Sequence, residues 1–261
     1  MIRSLWTAAS GLQSQQMAVD GIANNVSNVN TSGFKKNKVQ FQDLFYQHAN
    51  ILGEFEPDNT GRTGISIGNG AKIAGTEKVF SQGRLEPTGN TYDIAIEGEG
   101  FFRVLLPDGT PAYTRDGSFS ISPSGQLITP QGYRLDSGIT IPQGSKGVNI
   151  ATDGVVSAIL PGSSTPQDIG RITLFKAENP NGLLSIGENL FVPSVAVGSM
   201  VEVYAGSPGA GILHQGFVEG SNVDLADEMT QLVIAQRAYQ FNARALNTAD
   251  EMMAIATNIR G

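Results

Sequence analysis

The sequence lacks cysteine altogether and contains only two histidines, His48 and His214, among its 261 residues. Without cysteine the chain can form no disulfide bond, no zinc–thiolate site and no cysteine nucleophile. Two histidines also leave few side chains for a metal site or for acid–base chemistry near neutral pH. We therefore expect no metal site, no cofactor and no catalytic residue.

Charged residues are scarce as well, at 16% of the chain, and the net charge is −7. An acidic chain has no basic surplus to neutralise phosphates, so nucleic acid is not an expected partner. No apolar run approaches the length of a membrane-spanning helix, and we expect no membrane insertion. The N-terminal stretch MIRSLWTAASGLQSQQ lacks the continuous apolar segment of a secretory signal. Any export is therefore expected to proceed without a cleaved signal peptide.

Glycine, by contrast, is abundant, with 32 residues. Between Tyr92 and Pro193 short β-rich runs such as YDIAI, FFRVLL and RITLF alternate with turn pairs such as Asp108-Gly109 and Asp153-Gly154. Turn signals at this spacing are typical of an antiparallel sandwich or barrel. The middle of the chain is thus predicted to be a β-rich domain.

Both ends of the chain have helical periodicity instead. Apolar residues recur at alternating steps of three and four, as in a coiled-coil seam. In the N-terminal segment these positions are Leu5, Ala8, Leu12, Gln15, Val19, Ile22, Val26 and Val29. In the C-terminal segment they are Leu225, Met229, Leu232, Gln236, Tyr239, Ala243, Leu246, Asp250 and Met253. Ser221 and Asn222 are candidate caps of the second helix.

The predicted fold class is α+β, with long N- and C-terminal coiled-coil helices flanking a central antiparallel β-rich domain. We expect residues 1–34 and 221–261 to form a helical assembly domain, 35–75 an extended or β-hairpin connector, and 76–220 a β-rich outer domain. Two helices of about 40–50 Å extend further than a β domain of this size requires. Association of the terminal helices of many copies would bury both seams.

The first helical segment ends in the asparagine-rich stretch NNVSNVNTSGFKK, residues 24–36. Asparagine favours helix formation poorly because its side chain competes for backbone hydrogen bonds. Two interpretations stay open: a frayed end that leads into a loop, or a helix end that becomes ordered only when it packs in an assembly.

Three short motifs resemble parts of enzymes. Residues 64–68 match G-x-S-x-G, but Asn69-Gly70 follows where a helix should begin. Residues 32–35 match S-x-x-K without the companion motifs of that enzyme class, and we interpret them as a helix exit followed by a polar link. Glu97 and Glu99 lie two apart on a predicted strand end, as expected for a solvated edge. We expect no enzymatic activity.

The segments SLWTAASGLQSQQMAVDGIANNVSNVNTSGFKK and SNVDLADEMTQLVIAQRAYQFNARALNTADEMM closely resemble the terminal segments of the bacterial flagellar rod and hook axial proteins. The stretch SQGRLEPTGNTYDIAIEGEGFFRVLLPDGTPAYTRDGSFSISPSGQLITPQGYRL resembles the β domain of the distal rod members. The resemblance implies a structural subunit that polymerises helically into the drive shaft between motor and hook. It also implies a coiled-coil core built from the terminal helices, with the β domain outside.

The resemblance further implies which residues and partners are involved. The matching positions of an assembly interface are Leu5, Leu12, Val19, Ile22, Asn24, Asn25, Val26, Asn28, Leu225, Met229, Leu232, Gln236, Arg237, Tyr239, Asn242 and Leu246. Implied partners are further copies of the chain, the proximal rod proteins, the hook protein, the peptidoglycan-ring and outer-membrane-ring proteins and the flagellar type III export apparatus. The implied location is the basal body, in a rod that spans the periplasm.

Two alternatives stay open at this point. A proximal rod or hook subunit belongs to the same family; hook proteins are usually longer, and the stretch from about residue 46 to 64 is linked in the family to rod stiffness. A monomeric β-rich enzyme or binding domain would instead pack both helices within its own chain.

Overall fold

The computed structural model describes residues 2–48, 66–145, 147–160 and 165–258. Helix α1 spans Ile2–Ser27 and helix α2 spans Leu225–Asn258. The strands between them are β1 Asn37–Asp43, β2 Tyr46–His48, β3 Ser66–Gly68, β4 Ala71–Lys78, β5 Leu85–Pro87, β6 Ile94–Glu97, β7 Phe102–Leu105, β8 Pro111–Thr114, β9 Ser120–Ile121, β10 Leu127–Ile128, β11 Arg134–Leu135, β12 Val148–Ile150, β13 Val155–Ile159, β14 Pro166–Arg171, β15 Thr173–Ala177, β16 Leu183–Gly187, β17 Leu190–Pro193, β18 Met200–Tyr204, β19 Ile212–Gln215 and β20 Phe217–Glu219.

These elements form two compact units. The helical unit contains the described residues of 1–26, 37–77 and 224–261, and the β unit contains those of 27–36 and 78–223. The expected arrangement of two terminal helices around an antiparallel β-rich region is confirmed.

The β unit is built around a seven-stranded sheet in the order β16-β17-β8-β7-β11-β10-β9. The predicted turn pairs lie where expected: Asp108-Gly109 joins β7 to β8, and Asp153-Gly154 joins β12 to β13. Glycine suits both turns because Gly109 and Gly154 have φ angles of 80° and 89°.

Two groups of buried side chains hold the β unit together. The larger is mostly aliphatic and includes Ile94, Val104 and Leu174. The smaller is aromatic: the ring of Phe101 contacts that of Phe80 edge to face, with centroids 5.6 Å apart. Burial of these apolar surfaces supplies most of the driving force for folding of the β unit.

The helix ends differ in detail from the sequence expectation. The cap of α2 is Asp224, whose carboxylate accepts hydrogen bonds from Ala226 N at 2.9 Å and Asp227 N at 3.3 Å. The proposed cap residues Ser221 and Asn222 therefore lie before the helix. Helix α1 ends at Ser27, so Asn24 and Asn25 are helical whereas Asn28 follows the helix.

In the helical unit, strand β1 pairs with β4 and strand β2 pairs with β3, forming a ribbon. Most of the stretch linked to rod stiffness, residues 49–64, lies outside the described residues. The same is true of the first two residues of the G-x-S-x-G motif; its remaining residues, Ser66–Gly68, form β3.

Candidate assembly interface

Helices α1 and α2 pack against each other in antiparallel directions. Near one end, Asn25 Nδ2 donates a hydrogen bond of 3.1 Å to Glu228 Oε2. Further along, Gly11 lies so close to Asn242 that an added Cβ would be 2.8 Å from its Nδ2. The late part of α1 thus faces the early part of α2.

Asn25 joins three elements of the helical unit. Besides its bond to Glu228, its amide donates to the carbonyl of Asn37 and accepts from the Asn37 N–H, both at 2.9 Å. Asn25 and Glu228 are both buried. Because buried polar groups need partners, this arrangement favours one register of α1, α2 and the start of β1.

Small residues allow the close packing around α1. Ala18 and Ala235 are buried, and a Cβ on Gly21 would lie 2.9 Å from Cγ2 of Val39 in β1. Ser14 Oγ donates to the carbonyl of Ala71 in β4 at 3.3 Å. Helix α1 therefore contacts α2 and the ribbon.

The sixteen residues of the predicted interface divide into two groups. One group is buried or partly buried within the single chain: Leu5, Leu12, Val19, Ile22, Asn25, Val26, Asn28, Leu232, Asn242 and Leu246. The other group is exposed: Asn24, Leu225, Met229, Gln236, Arg237 and Tyr239. The first group is thus covered at least in part within one chain, and the second group is open to solvent.

Large apolar side chains on the helices are also exposed at positions outside the two predicted seams. Trp6 is 73% exposed, Ile234 63% and Phe241 65%. The signal was present in the run Leu232-Val233-Ile234, because a helix that is apolar at adjacent positions has a wider apolar surface than one seam. Counting a single seam missed this second face.

Two further features accompany the outward-facing residues. A groove of about 410 Å³ is lined by Gln16, Val19, Gln236, Tyr239 and Gln240. Among the 26 residues of α1, only Arg3 and Asp20 are charged. Depletion of charge together with exposed aromatic and aliphatic side chains is typical of the core of a protein–protein interface.

The S-x-x-K motif has a structural explanation. Lys35 is completely buried, and its Nζ forms an ion pair with Glu219 Oε1 at 2.6 Å. Residues 32–35 follow the end of α1, and within this segment Lys35 is buried in an ion pair. The ion pair engages the amine that would have to act as a base toward Ser32.

The two candidate acids of the β unit have separate partners. Glu97 pairs with His214 at 2.6 Å, and Glu99 pairs with Lys176 at 2.6 Å. Both carboxylates are exposed, as the solvated-edge interpretation predicts.

Among the residues that the structure describes, no three His, Asp or Glu side chains gather as metal ligands would. Neither helix, over its described length, is long and apolar enough to span a membrane.

Paired terminal helices with exposed apolar faces, joined to a β-rich unit, define an α+β structural protein with a surface for association. Three family models match successive parts of the chain: "Flagella basal body rod protein" over residues 5–35, "Flagellar hook protein FlgE/F/G D1 domain" over 95–158, and "Flagellar basal body rod FlgEFG protein C-terminal" over 214–259.

Full-length relatives agree with these models. The flagellar basal-body rod protein FlgG of Borreliella burgdorferi is 46% identical, covering 100% of this chain and 99% of that protein. The FlgG of Caulobacter vibrioides is 41% identical over 99% of this chain and 100% of that protein, and the FlgG of Bacillus subtilis is 38% identical over 100% of both. The chain belongs to the flagellar basal-body rod protein family.

Proposed function

We propose that this structural subunit of the flagellar distal rod polymerises helically through its terminal helices into the drive shaft that transmits motor torque to the hook. In the polymer, the helices of neighbouring copies form a coiled-coil core, and the β unit lies outside. We propose a division by role in the polymer: 1–34 and 221–261 for assembly, 35–75 as connector, 76–220 as outer domain. This division differs from the two compact units, in which 27–36 belong to the β unit and 37–77 to the helical unit. The protein has no enzymatic role.

The observation that carries this proposal is the outward apolar face of α1 and α2. Trp6, Met229, Val233, Ile234 and Phe241 are each more than half exposed in the single chain. Exposed apolar area of this extent on paired helices marks an interaction surface in a soluble protein. A second copy of the same helices is the partner that allows unlimited addition, since a contact between two different faces builds an open helical filament when its rotation does not close into a ring.

Family membership supports the remaining parts of the proposal. The rod spans the periplasm, and the subunit reaches it through the flagellar type III export apparatus without signal cleavage. At the ends of the rod its neighbours are the proximal rod proteins and the hook protein. Around the rod they are the peptidoglycan-ring and outer-membrane-ring proteins.

Assembly is tested by placing a charge on the outward face of α2 or at a partly buried position of either helix. Ile234→Glu puts a carboxylate on the outward face and should abolish polymerisation, while circular dichroism of the monomer stays unchanged. Val19→Glu and Leu232→Glu place the charge where the helices pack within one chain, and should reduce both helix content and polymerisation. Gln131→Glu, in an exposed turn of the β unit, makes the same change of charge and serves as the control.

Polymerisation is measured by sedimentation of purified protein and by rod formation in cells whose only copy is the variant. Rods built normally by Ile234→Glu would contradict the proposed outward interface. Loss of rods with Gln131→Glu as well would show that added charge alone, at any position, blocks assembly.

A further inference from the structure

The chain passes between its two units through three segments of the β unit: residues 27–36, 78–83 and 219–223. We call these the boundary segments. Backbone hydrogen bonds join them to one another. Gly33 N donates to the carbonyl of Glu219 at 2.7 Å, and Val79 N donates to that of Lys36 at 2.9 Å.

At the centre of the boundary segments lies a buried carboxylate. Glu219 Oε1 accepts from Lys35 Nζ at 2.6 Å and from Gly83 N at 2.8 Å. Its Oε2 accepts from Arg115 Nη1 at 3.3 Å. One side chain of the last boundary segment thus binds the first segment, the second segment and the sheet.

The two cations make further bonds to the backbone. Lys35 Nζ donates to the carbonyl of Ser81 at 2.8 Å, and Arg115 Nη2 donates to that of Gly98 at 2.7 Å. Burial lowers the pKa of both Lys35 and Arg115, and the charge of Glu219 opposes this effect. Arg115 Nε has no hydrogen-bond partner among the described residues. Two buried cations therefore share one buried anion.

Close backbone contacts leave the boundary segments little freedom to rearrange. Gly33 has a φ angle of 69°, and a Cβ on it would lie 2.5 Å from the backbone nitrogen of Asp116. A Cβ on Gly83 would lie 2.1 Å from the carbonyl oxygen of Gly220. No residue with a side chain fits at either position without displacing backbone.

We propose that Lys35, Glu219 and Arg115 form a charge clamp that joins the three boundary segments into one mechanical joint. Moving residues 27–36 or 219–223 alone would separate a buried charge from its partner, and moving residues 78–83 alone would remove a backbone hydrogen bond from each of Lys35 and Glu219. Either loss is more costly than losing a neutral contact. The segments therefore detach together or not at all. In a rod, force between the two units of a subunit passes through these segments, so the clamp distributes it among all three; this last step rests on the proposed function.

Amide hydrogen exchange of the purified full-length chain tests the coupling. The reporters are the amides of Gly33, Val79 and Gly220, one in each boundary segment, and the amide of Val104 in the sheet is the reference. Lys35→Met leaves the ion pair of Arg115 and Glu219, which has no net charge, and should keep the β unit folded. We expect exchange to accelerate by about tenfold or more at all three reporters, with Val104 unchanged.

Three further variants sharpen the result. Lys176→Met removes an ion pair of the same 2.6 Å length whose side chains are 40% and 70% exposed, and should change none of the reporters. Asn222→Ala removes uncharged hydrogen bonds to Lys36 N and to the carbonyls of Val79 and Ser81 but keeps all three charges, and should leave Gly33 unchanged. Glu219→Gln leaves two cations without an anion and should perturb the reporters more than Lys35→Met does. Acceleration confined to Gly33 in Lys35→Met would overturn the clamp.

The mechanical role has a separate test. Cells whose only copy carries Lys35→Met should build rods but swim more slowly than Lys176→Met cells in viscous medium, where torque is high. Equal speeds, with coupled exchange in the purified chain, would overturn the mechanical role alone. Failure of the unmodified protein to form rods would contradict the proposed function instead.

Discussion

Two aspartates in turns of the β unit experience opposite environments. Burial raises the pKa of Asp116, and the nearby Asp93 adds to this, although hydrogen bonds from Ser118 act against it. Asp108 is fully exposed, and a hydrogen bond from Thr110 lowers its pKa. Because each shift is a difference between the folded and unfolded chains, each makes stability depend on pH in its own direction.

The sign of the Asp116 effect follows from its raised pKa. The folded state binds the Asp116 proton more tightly, so this group adds stability as pH falls through its folded pKa toward the ordinary value of 3.8. Asp116→Asn removes the effect. The free energy of unfolding of the unmodified protein, minus that of the variant, should therefore rise as pH falls from about 7 to about 4.

Urea denaturation from about pH 7 to below the ordinary aspartate value of 3.8 measures this difference. Asp108→Asn is the control of opposite sign, and its effect should develop only below that value. Its lowered pKa contributes stability above the ordinary value that is lost as pH falls through the folded pKa. Parallel curves for the two variants would contradict the assignment of the shifts to these residues.

Lys35 shows what sequence analysis misses at the scale of single residues. A lysine shortly after a helix is expected to be exposed, because lysine is almost never buried unless it is paired. Its partner Glu219 lies 184 positions away in the sequence. Local patterns contain no information about such a pair, whereas the turn glycines Gly109 and Gly154 were predictable because their conformation is a local property.

At the scale of elements, the two helices were predictable from periodicity, but their packing faces were only partly so. On helix α2, Leu232 is partly buried and Ile234 is exposed. The spacing of apolar residues locates a helix without saying which of two apolar faces is covered within the chain. The strands were predictable as a β-rich region; their order in the sheet depends on long-range pairing.

Asn25 gives a test of the helix pair. Asn25→Ala would leave the Asn37 N–H and carbonyl and the Glu228 carboxylate without their partner, at a cost of about 2–3 kcal/mol. If polymerisation requires the packed pair, the concentration at which polymers form should rise by at least about tenfold. Sedimentation of purified protein over a range of concentrations measures this.

Two other variants separate the hydrogen bond from other effects. Glu228→Gln keeps an acceptor for the Asn25 amide and should cost much less than Asn25→Ala. Gln13→Ala shortens an exposed side chain on the same helix and should change little. If Glu228→Gln were as damaging as Asn25→Ala, the charge of Glu228 rather than its bond to Asn25 would hold the helices in register.

At the scale of the whole molecule, the order helix, β region, helix followed from the sequence because each part has its own local periodicity. The grouping of residues 27–36 with the β unit did not follow from it. That grouping depends on bonds such as Gly33 N to the Glu219 carbonyl, between residues far apart in the chain. A distinct helical unit also raises the question of whether it is stable before assembly.

The composition of the helical unit predicts that it is only marginally stable alone. Helix α1 contains glycine and several asparagine and serine residues that favour helix formation poorly, and a two-stranded ribbon is marginal in water. The β unit has its own buried core. In dilute monomer, limited proteolysis should therefore remove the helices and ribbon and leave a resistant β unit of about residues 27–36 and 78–223, with both pieces identified by mass spectrometry.

The same limited proteolysis of polymerised protein provides the comparison with dilute monomer. Once neighbouring copies cover the outward faces of α1 and α2, the helices should resist cleavage, because proteolysis requires local unfolding that the assembly suppresses. Protection should therefore increase with concentration and be lost in Ile234→Glu. If the helices resisted cleavage equally in dilute monomer, both helices would already be stably packed within one chain. The exposed apolar face would then need a partner other than a second copy.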